Sequence, residues 1–279
     1  MIRKLIFFGI AIQIFVACAD YQPGSMNLRG GTGVIYGDDS IIDIDEESPL
    51  RPMTVALAQN DKLIRSEKVG AYSVEETYGV EDVLWKGQES LTYCSGIPLS
   101  STTVLTAGHC LRSESDCELI SILPGYEKDR EDSKIAIACQ KVLAWKNDME
   151  VGLDYAILEL AEPLPRFIEP KNIKKAKEQE ELIVVGHPLG SFKKTAYGAV
   201  RKTRENGLIE VSLDVFEGNS GSPVFKKGSG EFLGILSSGA KDFSELSGRI
   251  FVNRCPDDGC EGELIVPIQK ILEDFKNNQ

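Results

Sequence analysis

The chain has 279 residues, of which 42% are hydrophobic and 27% are charged. These fractions are near the averages of soluble globular proteins and exclude a disordered, fibrous or low-complexity chain. Lysine and arginine number 31 against 43 aspartate and glutamate residues, which gives a formal net charge of -12. Because proteins bind nucleic-acid phosphates mainly through positive charge, we expect no nucleic-acid partner.

The amino terminus has the layout of a secretory signal peptide over residues 1–17. Arg3 and Lys4 precede an apolar run from Leu5 to Val16, and a charged start followed by a short apolar segment is typical of such signals. The run is shorter than the roughly 20 residues that a membrane-spanning helix needs. We therefore expect the chain to be exported.

Two processing schemes are open at the end of the apolar run. The segment Phe15–Cys18 is similar to a bacterial lipobox, which would make Cys18 the lipidated first residue of an envelope lipoprotein and anchor it to a membrane. Alternatively, cleavage after Ala19, between small residues, would release a secreted protein. We favour lipidation of Cys18, because hardly any polar spacer separates this cysteine from the apolar run.

The rest of the chain divides into two similar halves. Residues 18–33 are glycine-rich and polar and are interpreted as a tether or pro-segment. From about 34 to 162, short apolar runs between turn residues predict an antiparallel barrel or sandwich. A proline-rich, charged linker at about 163–181 separates this half from a second at about 182–265. Apolar residues at helical spacing then predict a C-terminal helix over about 266–277.

Three polar residues are candidates for nucleophilic catalysis. His109 follows an apolar strand, and Asp154 begins another. Ser220 lies in the small-residue loop Gly218–Pro223, whose backbone N–H groups could hold an anion. A serine hydroxyl is a weak nucleophile at neutral pH and needs a base, such as a neutral imidazole, to take its proton. A buried carboxylate can fix the tautomer of that imidazole.

The sequence around these residues resembles the chymotrypsin/trypsin-like serine proteases. The resemblance rests on segments that occur in the family's order: Thr106–Cys110 (TAGHC), Asp154–Leu160 (DYAILEL), Gly218–Pro223 (GNSGSP) and Gly234–Gly239 (GILSSG). It implies an all-β fold of two antiparallel β-barrels with a C-terminal α-helix, in a serine protease domain over residues 34–279. It also implies hydrolysis of protein or peptide substrates through an acyl-enzyme intermediate, without a cofactor or a metal.

The resemblance implies a role for each candidate residue. His109 is the general base, Asp154 orients it, and Ser220 is the nucleophile. The backbone N–H groups of Gly218 and Ser220 form the oxyanion hole. Extended substrate would pair as an added strand with Ser237, Ser238 and Gly239.

The primary specificity is open at this stage. Within the family the chain is similar to the bacterial glutamyl-endopeptidase-like branch, through Val34–Asp39 and Asn219. Trypsin-like members have an aspartate at the position of Asn219, which pairs with a new amino terminus and so activates the enzyme. Because this chain has asparagine there, we do not expect activation by such an ion pair. Leu236 occupies the place of the histidine that reads acidic substrates. Asp214 lies six residues before Ser220, where it is either a pocket residue for Lys or Arg or a structural residue.

The cysteines fit an exported, oxidised protein. Beyond Cys18, the expected disulfides are Cys94–Cys110, Cys117–Cys139 and Cys255–Cys260. The first pair is implied by the resemblance, because the family holds its histidine loop in this way. The remaining four cysteines allow three pairings, and we favour the one that keeps each bond within one barrel. A zinc site is the alternative, but export and the presence of only two histidines argue against it.

Two alternatives complete the hypothesis. The other histidine, His187, lies in the turn-like segment Val185–Gly190 and follows the aspartate in sequence, so we do not expect it to be the base. A non-catalytic binding lipoprotein that retains the fold is the alternative function. Labelling by a fluorophosphonate distinguishes the two functions, because it reports whether Ser220 is activated.

Overall fold

The computed structural model describes residues 33–129, 135–170 and 175–278. The expected signal peptide at 1–17, Cys18 and nearly all of the expected tether or pro-segment at 18–33 lie outside the described residues. No helix within the described ranges is long and apolar enough to cross a lipid bilayer.

Short strands make up most of the regular structure. The strands are β1 (Ile35–Tyr36), β2 (Ile42–Asp43), β3 (Val55–Gln59), β4 (Cys94–Pro98), β5 (Thr103–Thr106), β6 (Ile120–Leu123), β7 (Ile137–Asp148), β8 (Leu153–Leu160), β9 (Glu181–Gly186), β10 (Lys194–Thr203), β11 (Ile209–Val211), β12 (Pro223–Lys226), β13 (Phe232–Ser238), β14 (Phe243–Leu246), β15 (Arg249–Val252), β16 (Arg254–Cys255) and β17 (Glu263–Pro267). The α-helices are α1 (Asn60–Val69), α2 (Val74–Tyr78) and α3 (Ile268–Asn277). Short 3-10 helices span Arg51–Met53, Gly108–Cys110, Glu114–Leu119 and Pro188–Gly190.

The strands form two closed antiparallel barrels of six strands each, which confirms the predicted fold class. The first barrel has the order β3-β4-β5-β8-β7-β6, and the second has the order β9-β10-β11-β17-β13-β12. Both barrels therefore connect their strands in the same sequence order. The strand β8 ends at Leu160 and β9 begins at Glu181, so the expected linker at about 163–181 falls between the barrels; its residues 171–174 lie outside the described ranges.

An apolar core joins the two barrels. Tyr155 and Ile157 of the first barrel belong to the same buried cluster as Phe225 of the second barrel. The helix α3 adds Ile268 and Ile271 to this cluster. The predicted apolar stripe of α3 thus covers the seam between the barrels.

Several elements differ from the sequence expectations. The polar helix α1 buries none of its residues, so it has no apolar stripe that a periodicity argument could detect. The helix α2 begins with a capping box, in which Glu76 N donates to Ser73 Oγ and Ser73 N donates to Glu76 Oε2, a local signal that was present in the sequence. The run Arg249–Val252 forms a hairpin with β14 outside both barrels, and Ile250 also bridges to Val80.

The structure contains the three disulfides named from the sequence. The bonds join Cys94 to Cys110, Cys117 to Cys139, and Cys255 to Cys260. Within the described residues, no cluster of three or more His, Cys, Asp or Glu side chains is arranged to hold a metal ion. The cysteines therefore act as covalent links between chain segments.

Candidate active site

A continuous hydrogen-bonded chain joins Asp154, His109 and Ser220. Asp154 Oδ2 lies 2.7 Å from His109 Nδ1, and His109 Nε2 lies 2.7 Å from Ser220 Oγ. Asp154 is almost fully buried, whereas about a third of the His109 side chain is exposed. The first barrel supplies the acid and the imidazole, and the loop before β12 supplies the hydroxyl.

The His109 loop is held from three directions. The disulfide from Cys110 ties it to β4. Trp145 Nε1 donates to the carbonyl of Gly108 at 2.9 Å. Only glycine fits at position 108, because a Cβ there would lie 1.9 Å from the Lys146 carbonyl oxygen. These contacts hold the short loop that carries the His109 side chain.

The Asp154 carboxylate accepts three hydrogen bonds. Oδ1 accepts from the backbone N–H of His109 at 2.8 Å, and Oδ2 also accepts from Ser237 Oγ at 2.5 Å. Burial by itself would raise the pKa of Asp154, but the bonds and charge of His109 and the bond from Ser237 outweigh burial and hold that pKa below its ordinary value. The acid is therefore ionised when the imidazole becomes charged.

The peptide planes around Ser220 favour an open anion site. The carbonyl of Glu217 accepts from Leu189 N at 2.5 Å, and the carbonyl of Asn219 accepts from Ser222 N at 2.8 Å. In a trans peptide the N–H points opposite to the carbonyl. The N–H groups of Gly218 and Ser220 consequently point away from these partners, and neither donates to another group in the described part of the chain.

The segment around His187 is hydrogen-bonded to the loop that contains Ser220. His187 is fully buried, and its Nδ1 lies 3.1 Å from the Ser191 carbonyl oxygen. Burial lowers its pKa well below the ordinary value, and no hydrogen bond joins its ring to Ser220 or Asp154. Leu189, two residues on, has a left-handed backbone with φ of 55° and donates to the Glu217 carbonyl. This segment is therefore structural.

Asp214 is buried, and its hydrogen bonds within the described residues go to Tyr36 and Ser40 rather than to Ser220. Its Oδ1 accepts from Tyr36 N at 2.7 Å, while Oδ2 accepts from Ser40 N at 2.8 Å and from Ser40 Oγ at 2.6 Å. Burial raises its pKa, against the opposing effect of these hydrogen bonds. The carboxylate holds the segment after β1, which fits the structural alternative for this residue and leaves no open pocket floor there.

The residues of the segment Ser237–Gly239 differ in burial and in their contacts. The Ser237 side chain bonds to Asp154 and is fully buried, whereas Ser238 and Gly239 are partly exposed. Pro223, the first residue of β12, pairs with Ile235 of β13. In the described structure, the edge of β13 that faces β12 therefore has no strand partner at Ser237 and Ser238. An extended peptide could add here, as expected from the sequence.

An acidic residue that sequence reasoning missed lies behind this segment. Glu263, the first residue of β17, is fully buried, and a Cβ placed on Gly239 would lie 1.4 Å from its Oε2. The two residues are far apart in sequence, and no local motif marks the glutamate.

Comparison with known proteins agrees with this architecture. Residues 94–235 match the model of the trypsin-like peptidase domain. A structure of Glu endopeptidase in complex with MPD aligns with a TM-score of 0.55 at 15% identity, over 88% of this chain and 98% of the other. The Vibrio cholerae VesB protease aligns with a TM-score of 0.54 at 16% identity, over 88% of this chain and 67% of the other. No curated protein sequence gives a significant match.

Proposed function

Because this chain belongs to the trypsin-like peptidase family, we propose that it is a serine endopeptidase in which His109, Asp154 and Ser220 hydrolyse peptide bonds. The observation that carries the proposal is the unbroken line of hydrogen bonds from the buried Asp154 carboxylate through the imidazole to Ser220 Oγ. A fold retained only for binding would not need this arrangement.

The geometry supports a two-step acyl transfer. Ser220 Oγ attacks the substrate carbonyl while His109 Nε2 takes the hydroxyl proton, and the imidazolium then gives this proton to the leaving amine. In the second step water attacks the acyl-enzyme: His109 Nε2 takes a proton from the water and then gives it to Ser220 Oγ as the new acid leaves. The Gly218 and Ser220 N–H groups stabilise the oxyanion in both steps, and loss of one such donor typically reduces kcat by about 100- to 1,000-fold.

Export and a membrane anchor are parts of the same proposal. Three disulfides suit an oxidising compartment. The lipid anchor on Cys18 rests on the sequence alone. Mass analysis of the mature amino terminus tests it, because a diacylated or triacylated cysteine has a mass that cleavage after Ala19 cannot produce.

Labelling with a fluorophosphonate tests the catalytic proposal. We expect wild-type protein to be labelled at Ser220, Ser220→Ala to be unlabelled, and His109→Ala to be labelled far more slowly. Ser229→Ala is the matched control, because Ser229 is an exposed serine in the turn between β12 and β13, and it should be labelled like wild type. An unlabelled wild type with its disulfides intact would favour the binding lipoprotein.

A further inference from the structure

A buried carboxylate from outside the Ser220 loop is hydrogen-bonded beside the anion site. Asp242, in the segment between β13 and β14, is almost fully buried, and its Oδ2 accepts from the backbone N–H of Glu217 at 2.7 Å. Glu217 directly precedes Gly218, whose N–H faces the anion site. The carboxylate therefore acts next to this site, although β12 and β13 separate Asp242 from Ser220 in the chain.

Glu217 is held on both of its peptide planes. Its N–H, in the peptide that joins it to residue 216, donates to Asp242. Its carbonyl, in the peptide that joins it to Gly218, accepts from Leu189 N at 2.5 Å. The N–H of Gly218 points opposite to that carbonyl, because the peptide is trans. The two hydrogen bonds together therefore set the direction of the Gly218 N–H.

Gly218 does not fix this direction by itself. Its φ is 96°, and a glycine, which has no Cβ, adopts positive and negative φ about equally well. Rotation of the peptide between Glu217 and Gly218 would turn the N–H out of the anion site and the Glu217 carbonyl into it. Contacts from outside the loop must therefore hold this peptide, and Asp242 supplies one of them.

A ring contact joins the same two segments at the neighbouring residues. Phe216 precedes Glu217 and Phe243 follows Asp242, and their rings stack with centroids 5.8 Å apart and planes inclined by 10°. Phe216 is buried, and Phe243 is partly buried against the same core cluster. The segment of Asp242 therefore cannot move away from Glu217 without breaking an apolar contact as well as a hydrogen bond.

The other oxygen of Asp242 holds the segment before β1. Its Oδ1 accepts from Gly33 N at 2.6 Å. Gly33 is packed tightly there, because a Cβ on it would lie 1.7 Å from the Val215 carbonyl oxygen. Each carboxylate oxygen thus has a backbone donor, and hydrogen bonds to a carboxylate are stronger than those between neutral groups. The carboxylate is therefore fixed in the orientation in which it holds Glu217.

We propose that Asp242 is a positioning residue for the oxyanion hole, which holds the N–H of Glu217 and so keeps the N–H of Gly218 directed at the anion site. The inference rests on the proposed endopeptidase function. Asp242 acts through the two loop residues and does not contact the reacting atoms. Because the same carboxylate binds Gly33, the segment before β1 contributes to the geometry of the hole.

A matched pair of ester substrates tests this role. The esters differ only in the scissile carbonyl, which is an oxo group in one and a thiono group in the other. Sulfur is a weaker hydrogen-bond acceptor than oxygen, so the oxo ester depends more on the hole. We expect Asp242→Ala to lower kcat for the oxo ester by about 100-fold or more, the typical effect of losing one donor. The KM values and kcat for the thiono ester should change by less than about tenfold.

Asp214→Ala is the matched control variant. Asp214 is also a buried aspartate that accepts from two backbone N–H groups, those of Tyr36 and Ser40. Its loss should lower the turnover of both esters by the same factor. A role of Asp242 in stability alone would give the same result as this control. An unchanged ratio of oxo to thiono turnover in Asp242→Ala would therefore overturn the inference.

Asp242→Asn covers the case in which Asp242→Ala fails to fold. An amide has one oxygen in place of two, so it can keep the bond to Glu217 or the bond to Gly33, but not both. Hydrogen exchange at the Glu217 N–H shows which bond is kept. Faster exchange should accompany a lower ratio of oxo to thiono turnover, and unchanged exchange should accompany an unchanged ratio. Either mismatch would contradict the proposed role.

The wild type separates this inference from the function on which it rests. Absence of fluorophosphonate labelling at Ser220, together with no turnover of either ester, would reject the endopeptidase itself. Labelling and oxo-ester turnover in the wild type, with Asp242→Ala behaving like the control variant, would reject the role of Asp242 alone.

Discussion

His109 and Asp154 are joined at two points rather than one. The aspartate accepts from the backbone N–H of His109 through Oδ1 and lies within hydrogen-bond distance of its Nδ1 through Oδ2. The carboxylate therefore fixes both the position of the loop and the orientation of the ring. With Nδ1 donating to a carboxylate, Nε2 is left as the acceptor that faces Ser220.

Asp154→Asn should separate these two functions. The amide can still accept from the backbone of His109, but it cannot enforce the tautomer with Nε2 free, so we expect kcat to fall by about 10,000-fold. Steady-state kinetics and a thermal melt check this result. Ser220→Ala and His109→Ala should each remove nearly all turnover, and the variant with both changes should be little worse than either, because the groups act as a unit. Additive losses would contradict a shared mechanism.

Gly218→Ala should impair the oxyanion hole. Gly218 has φ of 96°, and a Cβ there would lie 2.4 Å from the His187 carbonyl oxygen. The loop must shift to accommodate alanine, which turns the N–H from the anion site and should lower kcat by about 100-fold or more. Gly228→Ala is the control, because Gly228 has φ of 83° with nothing within 4 Å of the added Cβ. Equal effects of the two substitutions on kcat would indicate backbone strain alone.

Asp214→Ser should act on stability. It leaves the N–H groups of Tyr36 and Ser40 without their acceptor, so we expect unfolding to become easier by about 2 kcal/mol. Turnover of Lys and Ala peptides should fall by the same factor. Denaturant unfolding and the ratio of the two kcat/KM values provide the measurements, and a selective loss on Lys peptides would restore Asp214 as a specificity residue.

Glu263→Gln should stabilise the protein at neutral and higher pH. Burial, and then the charge of Asp242, hold the pKa of Glu263 well above its ordinary value, with Tyr36 and Arg201 as the other titratable or charged groups that face it. An unfolded glutamate titrates near 4.3. As pH rises from there to the raised pKa, the unfolded chain releases a proton that the folded chain keeps, so stability is lost.

The melting temperature of Glu263→Gln should therefore exceed that of wild type at pH 8 and match it near pH 4. The variant removes the titration but keeps the shape and one polar acceptor. Thermal melts at both pH values measure the difference. A wild type that is more stable than the variant at pH 8 would mean that the carboxylate gains a stabilising partner when ionised.

The sequence predicted the elements whose signals are local. The apolar stripe of α3 lies within a few residues, so spacing alone indicates it. The motif around Ser220 is equally local, and its resemblance to a known family suggested its role. Glu263 and Gly239 meet only because β13 and β17 are neighbours in the second barrel, and no local pattern encodes that pairing. The hydrogen bonds of Asp214 could not be predicted for the same reason, because its partners Tyr36 and Ser40 lie far upstream in the chain.

The strand β10 was missed for a different reason. Its sequence Lys194–Thr203 contains two lysines, an arginine and a glycine, which weaken any alternation of polar and apolar residues. The strand forms because β9, β11 and β2 supply its hydrogen-bond partners. Tertiary pairing outweighs local preference here.

The helix α3 also links the two barrels. Tyr155 of the first barrel donates to Asp274 on this helix at 2.7 Å, while Ile268 and Ile271 pack across the seam. His109 and Ser220 lie on different barrels, and the α3 residues Ile268, Ile271 and Asp274 follow both of them in the chain. If the proposed triad is correct, a growing polypeptide carries His109, Asp154 and Ser220 before it contains α3, so we expect no cleavage until that helix has been synthesised and the barrels have closed.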